Sequence, residues 1–282
     1  MAGTGLFPAW IGKALVADAV FGRAYASVSE RERALLKTAL VRSWEWSAPS
    51  EVVSRRTEVL LRSGLRAVTQ SAPRPALALF FDAAETSPAR LLAALVPALA
   101  AGVPEVLAVR LGGRGHAPAA LLTALELAGV ERLAQLPKDQ GPRLLGHLAQ
   151  NAPSCAVLAL GEVACATAAW RGRLDRPLGL WLDRPGDLDL EALAFAQPDA
   201  VLEAWGPGAR GLAAPVVRRS GSFETFLRQN YPAVYAPGSR REACLGRAPL
   251  VLGPGCESCW LWPDLEPGRF LATSTAWGLD LE

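Results

Sequence analysis

From residue 76 onward the chain alternates short, wholly apolar segments with longer helical ones, and this alternation constrains the fold more than any other feature. The segment "ALALFF" (76–81) has the length and composition of a buried strand. It is followed by "SPARLLAALVPALAAG" (87–102), with Ser87 as N-cap, Pro88 at the first helical position and Gly102 as the stop. "EVLAVRL" (105–111), "APAALLTALELAG" (117–129) and "VERLAQL" (130–136) continue as strand, helix and strand. Strands separated by helices pair in parallel through right-handed crossovers, so the expectation is an α/β protein with Rossmann-like layers and a mostly parallel sheet. Apolar strands at "CAVLAL" (155–160), "PLGLWLD" (177–183) and "DAVLEAW" (199–205) extend the pattern. The expected divisions are a helical N-terminal region over 1–72, a first α/β unit over 73–150, and a second unit with a C-terminal tail over 151–282.

Before this alternation the chain reads as helix. Ser29 and Glu32 form a capping box ahead of "RALLKTALVRSWEW". Pro49 and Ser50 open "EVVSRRTEVLLRSGLRAV", where Val53, Leu60, Leu61, Leu65 and Val68 share one helical face. Arg55, Arg56, Arg62 and Arg66 flank that face as a solvated surface.

Composition removes several classes of function. Hydrophobic residues make up 51% and charged residues 20%, which is globular and not disordered. The 29 Lys and Arg against 27 Asp and Glu leave a net charge of +2, and the arginines are dispersed, so no stripe for nucleic acid forms. The most apolar run, Leu91 to Val109, is broken by Pro97, Pro104 and Glu105, which argues against a membrane span. No basic segment precedes an uninterrupted apolar one at the N-terminus, so a cytoplasmic location is expected. Five cysteines fit reduced thiols better than a disulfide framework.

The candidates for chemistry are few. The first strand runs into "FDAAETSP" and not into G-x-G-x-x-G, so a conventional dinucleotide turn is missing. Asp82 and Glu85 nevertheless stand at the carboxyl end of that strand, where open α/β sheets bind ligands, or they cap the next helix. "RLGGRGH" places Gly112, Gly113 and His116 after the second strand, as a loop or as a phosphate cradle. His147 falls within a helix. Cys256 and Cys259 form a single C-x-x-C, which supplies at most two of the four ligands of a structural zinc. Pro263 and Pro267 prevent a long helix from starting there, and the nearest cations in sequence are Arg247 and Arg269. Ordinary thiols are expected, with a redox or metal contact, or a nucleophilic Cys256, as the alternatives. Trp44, Trp46, Trp260 and Trp262 form two W-x-W pairs, which fill a core or, if exposed, anchor an interface such as that of a homodimer.

These segments also carry a resemblance. "VPALAAGVPEVLAV" (96–109), "LAGVERL" (127–133), "PLGLWLDRPGDLDLEALAFAQPDA" (177–200) and "EPGRFLATSTAWG" (266–278) resemble, in order and spacing, motifs of the histidinol dehydrogenase family. The resemblance implies a fold related to aldehyde dehydrogenases, and it places Gln140 at the family's glutamine of I-G-G-A-Q-A-I-A-A-L-A. It also implies a zinc site, yet the family's ligand positions are Leu193, Ala196 and Arg269 here. Leu and Ala side chains cannot ligate a metal, and a guanidinium repels one. The adjacent Glu-His acid–base pair has no counterpart. Zinc is therefore not expected, while NAD stays open as a cofactor, with Asp82, Glu85, Gly112, Gly113, His116 and Gln140 as candidate binding residues. The reading is a non-catalytic module that binds a small molecule or nucleotide, or serves assembly. The alternative is an NAD(P)-dependent oxidoreductase working without zinc.

Overall fold

The computed structural model describes residues 6–47, 55–164, 170–212 and 216–279. Two helices come first, α1 (Asp18–Ser27) and α2 (Glu30–Ser47). The capping box forms as the sequence predicts: the Ser29 amide donates to Glu32 Oε2 at 2.9 Å, and the Glu32 amide donates to Ser29 Oγ at 3.2 Å.

The next segment departs from expectation. In place of a helix, β1 (Arg55–Leu60) and β2 (Leu65–Pro73) form an antiparallel hairpin. Pro49, Ser50 and Val53 lie outside the described residues. Gly64, at φ +84°, makes the turn, and the Leu61 amide closes it on the Leu65 carbonyl at 2.8 Å. The pairing that overrides the helical spacing comes from the far end of the chain, where β13 (Leu271–Leu279) runs antiparallel to β2 over its whole length. Thr69 faces Thr275 at 3.1 Å and Ser71 faces Thr273 at 2.9 Å, cross-strand hydroxyl pairs that a local periodicity cannot foresee.

Between these ends lie two parallel sheets. The first contains β3 (Ala76–Asp82), β4 (Glu105–Leu111), β5 (Leu133–Leu136), β6 (Ala156–Leu160) and β7 (Trp170–Gly172), in the order β5-β4-β3-β6-β7. The intervening helices are α3 (Pro88–Ala100), α4 (Ala119–Leu127) and α5 (Gln140–Asn151). β3 is buried along its whole length, because both faces of the sheet are covered. Leu77, Leu79 and Phe81 point to the α3 and α4 side, and Ala76, Ala78 and Phe80 point to the α5 side. β6 and β7 pair in this same sheet, so its strands reach to Gly172. The segment at Leu15 bridges to Ala134 on β5 and so covers that edge.

The second sheet, also parallel, contains β8 (Leu178–Trp181), β9 (Leu202–Trp205), β10 (Val217–Arg218), β11 (Ala233–Tyr235) and β12 (Leu250–Leu252) in the order β10-β9-β8-β11-β12. Its helices are α6 (Leu190–Ala196), α7 (Phe223–Leu227) and α8 (Gly238–Cys244). The fold is thus α/β with two Rossmann-like layered units, as the alternation predicts. Ala89 and Ala93 of α3 join the core beneath Leu178, Leu180 and Leu193, so the two units share that helix. Trp262 seals the same seam: its indole lies edge-on to both Trp170 and Trp260, and its Nε1 donates to the Arg90 carbonyl at 3.2 Å. Trp260 and Trp262 are core residues, whereas Trp44 and Trp46 are exposed. Among the described residues no helix is long and apolar enough to cross a membrane.

Candidate functional site

The carboxyl ends of β3 and β4 gather most of the residues singled out in the sequence, but their polar groups are already committed. Asp82 Oδ1 accepts the Ala84 amide at 2.8 Å, and its Oδ2 meets Lys138 Nζ at 2.9 Å. The Ser87 amide donates to Glu85 Oε1 at 3.1 Å, and the Arg90 amide donates to Ser87 Oγ at 3.0 Å. At the start of α3, Pro88 carries no amide hydrogen and the Arg90 amide is taken by the Ser87 side chain. Gly113 packs so closely that a Cβ would lie 2.8 Å from Ala83 and 2.9 Å from Arg110 Nη2, so the glycine serves loop contact. His116 is exposed, and Gln140 opens α5 half-buried.

Glu85 also faces inward. Arg90, 1% exposed, donates from Nη2 to Glu85 Oε1 at 2.6 Å and to Asp199 Oδ2 at 2.5 Å, and from Nη1 to Gln197 Oε1 at 2.7 Å. Burial pushes the Glu85 carboxyl up, and the Arg90 guanidinium draws it back. Ser87 Oγ completes the cluster by donating to the Ala196 carbonyl at 2.6 Å. Glu85 is thus a structural clamp between α3 and the end of α6, and not a residue that faces a ligand.

The presumed zinc positions do not converge on a metal site. Leu193 and Ala196 are packed in the core of the second unit. Arg269 is exposed and donates from Nε to the Asp264 carbonyl at 2.7 Å. Among the described residues no cluster of three or more metal-ligating side chains forms. His147 exchanges a contact with Asn151 one turn along α5, as a helical residue would.

The C-x-x-C pair has surroundings that its neighbours in sequence do not foretell. A cation distant in sequence reaches it: Arg42 of α2 places Nη1 at 3.3 Å from Cys256 Sγ and 3.9 Å from Cys259 Sγ. The hydrogen bond from the Cys259 thiol, helped by Arg42 and opposed by burial, draws the Cys256 thiol down to about 6. Cys259, which donates that bond and is buried, is pushed up.

Sequence reasoning missed a further site altogether. Outside the carboxyl ends of β8 and β9, and along the edge strand β10, lies a cleft of about 710 Å³ where Trp181, Gly206, Arg210, Arg218 and Arg219 meet. A second cleft of about 610 Å³ shares Arg218 and Arg219 and adds Arg176, Glu203 and Tyr231. Arg219 Nη2 pairs with Glu203 Oε1 at 2.5 Å, while among the described residues Arg210 and Arg218 have no ion-pair partner. In the wall of the second cleft a polar chain is fixed: Trp205 Nε1 donates to Tyr231 Oη at 2.8 Å, and Tyr231 Oη donates to Glu203 Oε2 at 2.6 Å. Arg219 and Tyr231 together hold the Glu203 carboxyl below its ordinary range. The available signal was the "RR" pair following "APVV" and immediately preceding Ser220-Gly221.

No family model matches the chain, and no curated protein matches it in sequence. Among solved structures, histidinol dehydrogenase from Elizabethkingia anophelis aligns over 94% of this chain and 76% of its own, with a TM-score of 0.56 at 12% identity. PnpE from Pseudomonas sp. WBC-3 aligns over 98% and 88%, with a TM-score of 0.50 at 13% identity. A NAD-dependent benzaldehyde dehydrogenase from Corynebacterium glutamicum aligns over 96% and 88%, at 0.48 and 9%. The likeness is one of fold. It joins this chain to dehydrogenase-like architectures, and the side chains described above then decide which features of such a site are present.

Proposed function

We propose that the protein binds a small anionic molecule in the arginine cleft of the second unit, and does so without metal-dependent oxidation. The observation that carries this reading is Arg210 and Arg218, two guanidiniums without ion-pair partners among the described residues, at the rim of a cleft outside strand carboxyl ends. Open α/β sheets bind ligands at such ends, and a cleft of this size matches a small-molecule pocket. Guanidinium forks suit phosphate or carboxylate oxygens. Leu193 and Ala196 in the core support the absence of zinc chemistry.

The alternative, an NAD(P)-dependent oxidoreductase, needs a nucleotide seat. With Pro88 lacking an amide hydrogen, the Arg90 amide taken by Ser87, and the Asp82 carboxylate nearby, NAD binding at residues 82–88 and 110–116 is expected to be weak. Titration followed by the fluorescence of Trp181 and Trp205 separates the two readings. Inorganic pyrophosphate should saturate the signal, and the double variant R210A/R218A should weaken binding about tenfold or more. No saturation with pyrophosphate, together with tight binding of NAD, would move the oxidoreductase reading ahead.

A further inference from the structure

Cys256 and Cys259 stand apart from the arginine cleft, and their surroundings are assembled from three parts of the chain. After β12, two successive turns close on hydrogen bonds of 3.0 Å, from the Cys256 amide to the Gly253 carbonyl and from the Cys259 amide to the Cys256 carbonyl. A turn closed from residue i to i+3 holds its end Cα atoms within about 7 Å, close to the span a disulfide bridges. Arg42 is delivered by α2, whose Leu36 and Ala39 pack with Leu92, Ala124 and Cys259, so the next residue on that face arrives at the sulfurs. Glu257, between the cysteines, is turned away to accept the Asp189 amide at 3.1 Å. A cavity of about 300 Å³ opens on the pair, lined by Arg42, Trp46, Cys256, Cys259, Trp260 and Leu261.

Two sulfurs facing a guanidinium do not suit a metal ion, because the fixed positive charge occupies the place a cation would take. They do suit a thiolate that attacks and a thiol that resolves. We propose that Cys256 and Cys259 are a thiol–disulfide exchange couple, with Cys256 attacking and Cys259 resolving, and a low-molecular-weight disulfide as the co-reactant. In the first step the Cys256 thiolate attacks one sulfur of RS–SR, the S–S bond breaks, and RS⁻ leaves a mixed disulfide on Cys256. In the second, Cys259 gives its proton to the released RS⁻ and its sulfur attacks Cys256 Sγ. The internal disulfide forms and the second RS⁻ departs. The protein loses two electrons and the disulfide becomes two thiols. Arg42 stabilises the sulfur anion in the resting state, and the apolar cavity wall admits a small neutral disulfide in preference to a bulky one.

The test uses the full chain and bis(2-hydroxyethyl) disulfide. Mass spectrometry should show the intact protein two hydrogens lighter, with both cysteines protected from alkylation. The variant C259S should stop at a mixed disulfide on Cys256, and C256S should leave Cys259 unmodified. In the untreated protein the alkylation rate of Cys256 should rise with pH through a midpoint near 6, and R42M should move that midpoint upward. The proposal is overturned if Cys256 titrates near the ordinary thiol value of about 8.5. It is equally overturned if the wild-type protein stops at a mixed disulfide, since Cys259 would then not resolve it. C259S keeps the test decisive should R42M fail to fold, because it leaves Arg42 in place.

Discussion

Two charged residues, Arg90 and Glu203, show how a charge is placed when its partners are known. Arg90 is sealed between the two layered units with Glu85, Asp199 and Gln197 around it. Removing one member of a buried ion cluster strands the others, so Arg90→Met is expected to cost about 3–5 kcal/mol. Urea denaturation of the wild type and the variant measures this; a loss within error of zero would mean that the clamp does not hold the units together. Glu203 gives a pH-dependent counterpart. Arg219 and Tyr231 hold its folded carboxyl below the unfolded value, so its contribution is complete above the ordinary carboxylate range of about 4.3. That contribution is lost as pH falls through the lowered folded value. The stability difference between wild type and Glu203→Gln should therefore be constant near neutrality and shrink in acid. Neither partner set was legible in the sequence. Asp82 and Glu85 were legible as residues at a strand end, but Glu85 reaches Arg90 only because its loop turns back over α3, and Arg42 reaches Cys256 from 214 positions away.

At the scale of elements, local chemistry sufficed wherever an element is stabilised by its own residues. Ser87, Pro88 and Gly102 bound α3, and the Ser29–Glu32 box starts α2, as their sequence positions predict. Ser29→Ala should accordingly cost about 1 kcal/mol, read as a lowered midpoint in thermal unfolding. An unchanged midpoint would mean that tertiary contacts alone fix the start of α2. Local chemistry failed for β1 and β2. Their residues satisfy a helical spacing and a strand alternation equally, and the partner that decides between them, β13, lies some two hundred residues away. The described part of this sheet leaves Leu60 and Trp277 exposed, as a solvated hairpin does.

The whole molecule is two parallel layered units sharing α3, with an antiparallel sheet built from both halves of the chain. Its layered α/β fold was legible because apolar strands and helices alternate along the sequence. The candidate ligand site was not, because Arg210, Arg218 and Arg219 meet Trp181 only where β10 pairs beside β9 at the edge of the second sheet. The central claim is that the ligand sits there and not at the first unit's strand ends. Amide hydrogen exchange, with and without saturating inorganic pyrophosphate, tests it most directly. The account predicts slowed exchange over residues 206–221 and no change over residues 82–88 and 110–116. Slowed exchange confined to the latter two segments would contradict it.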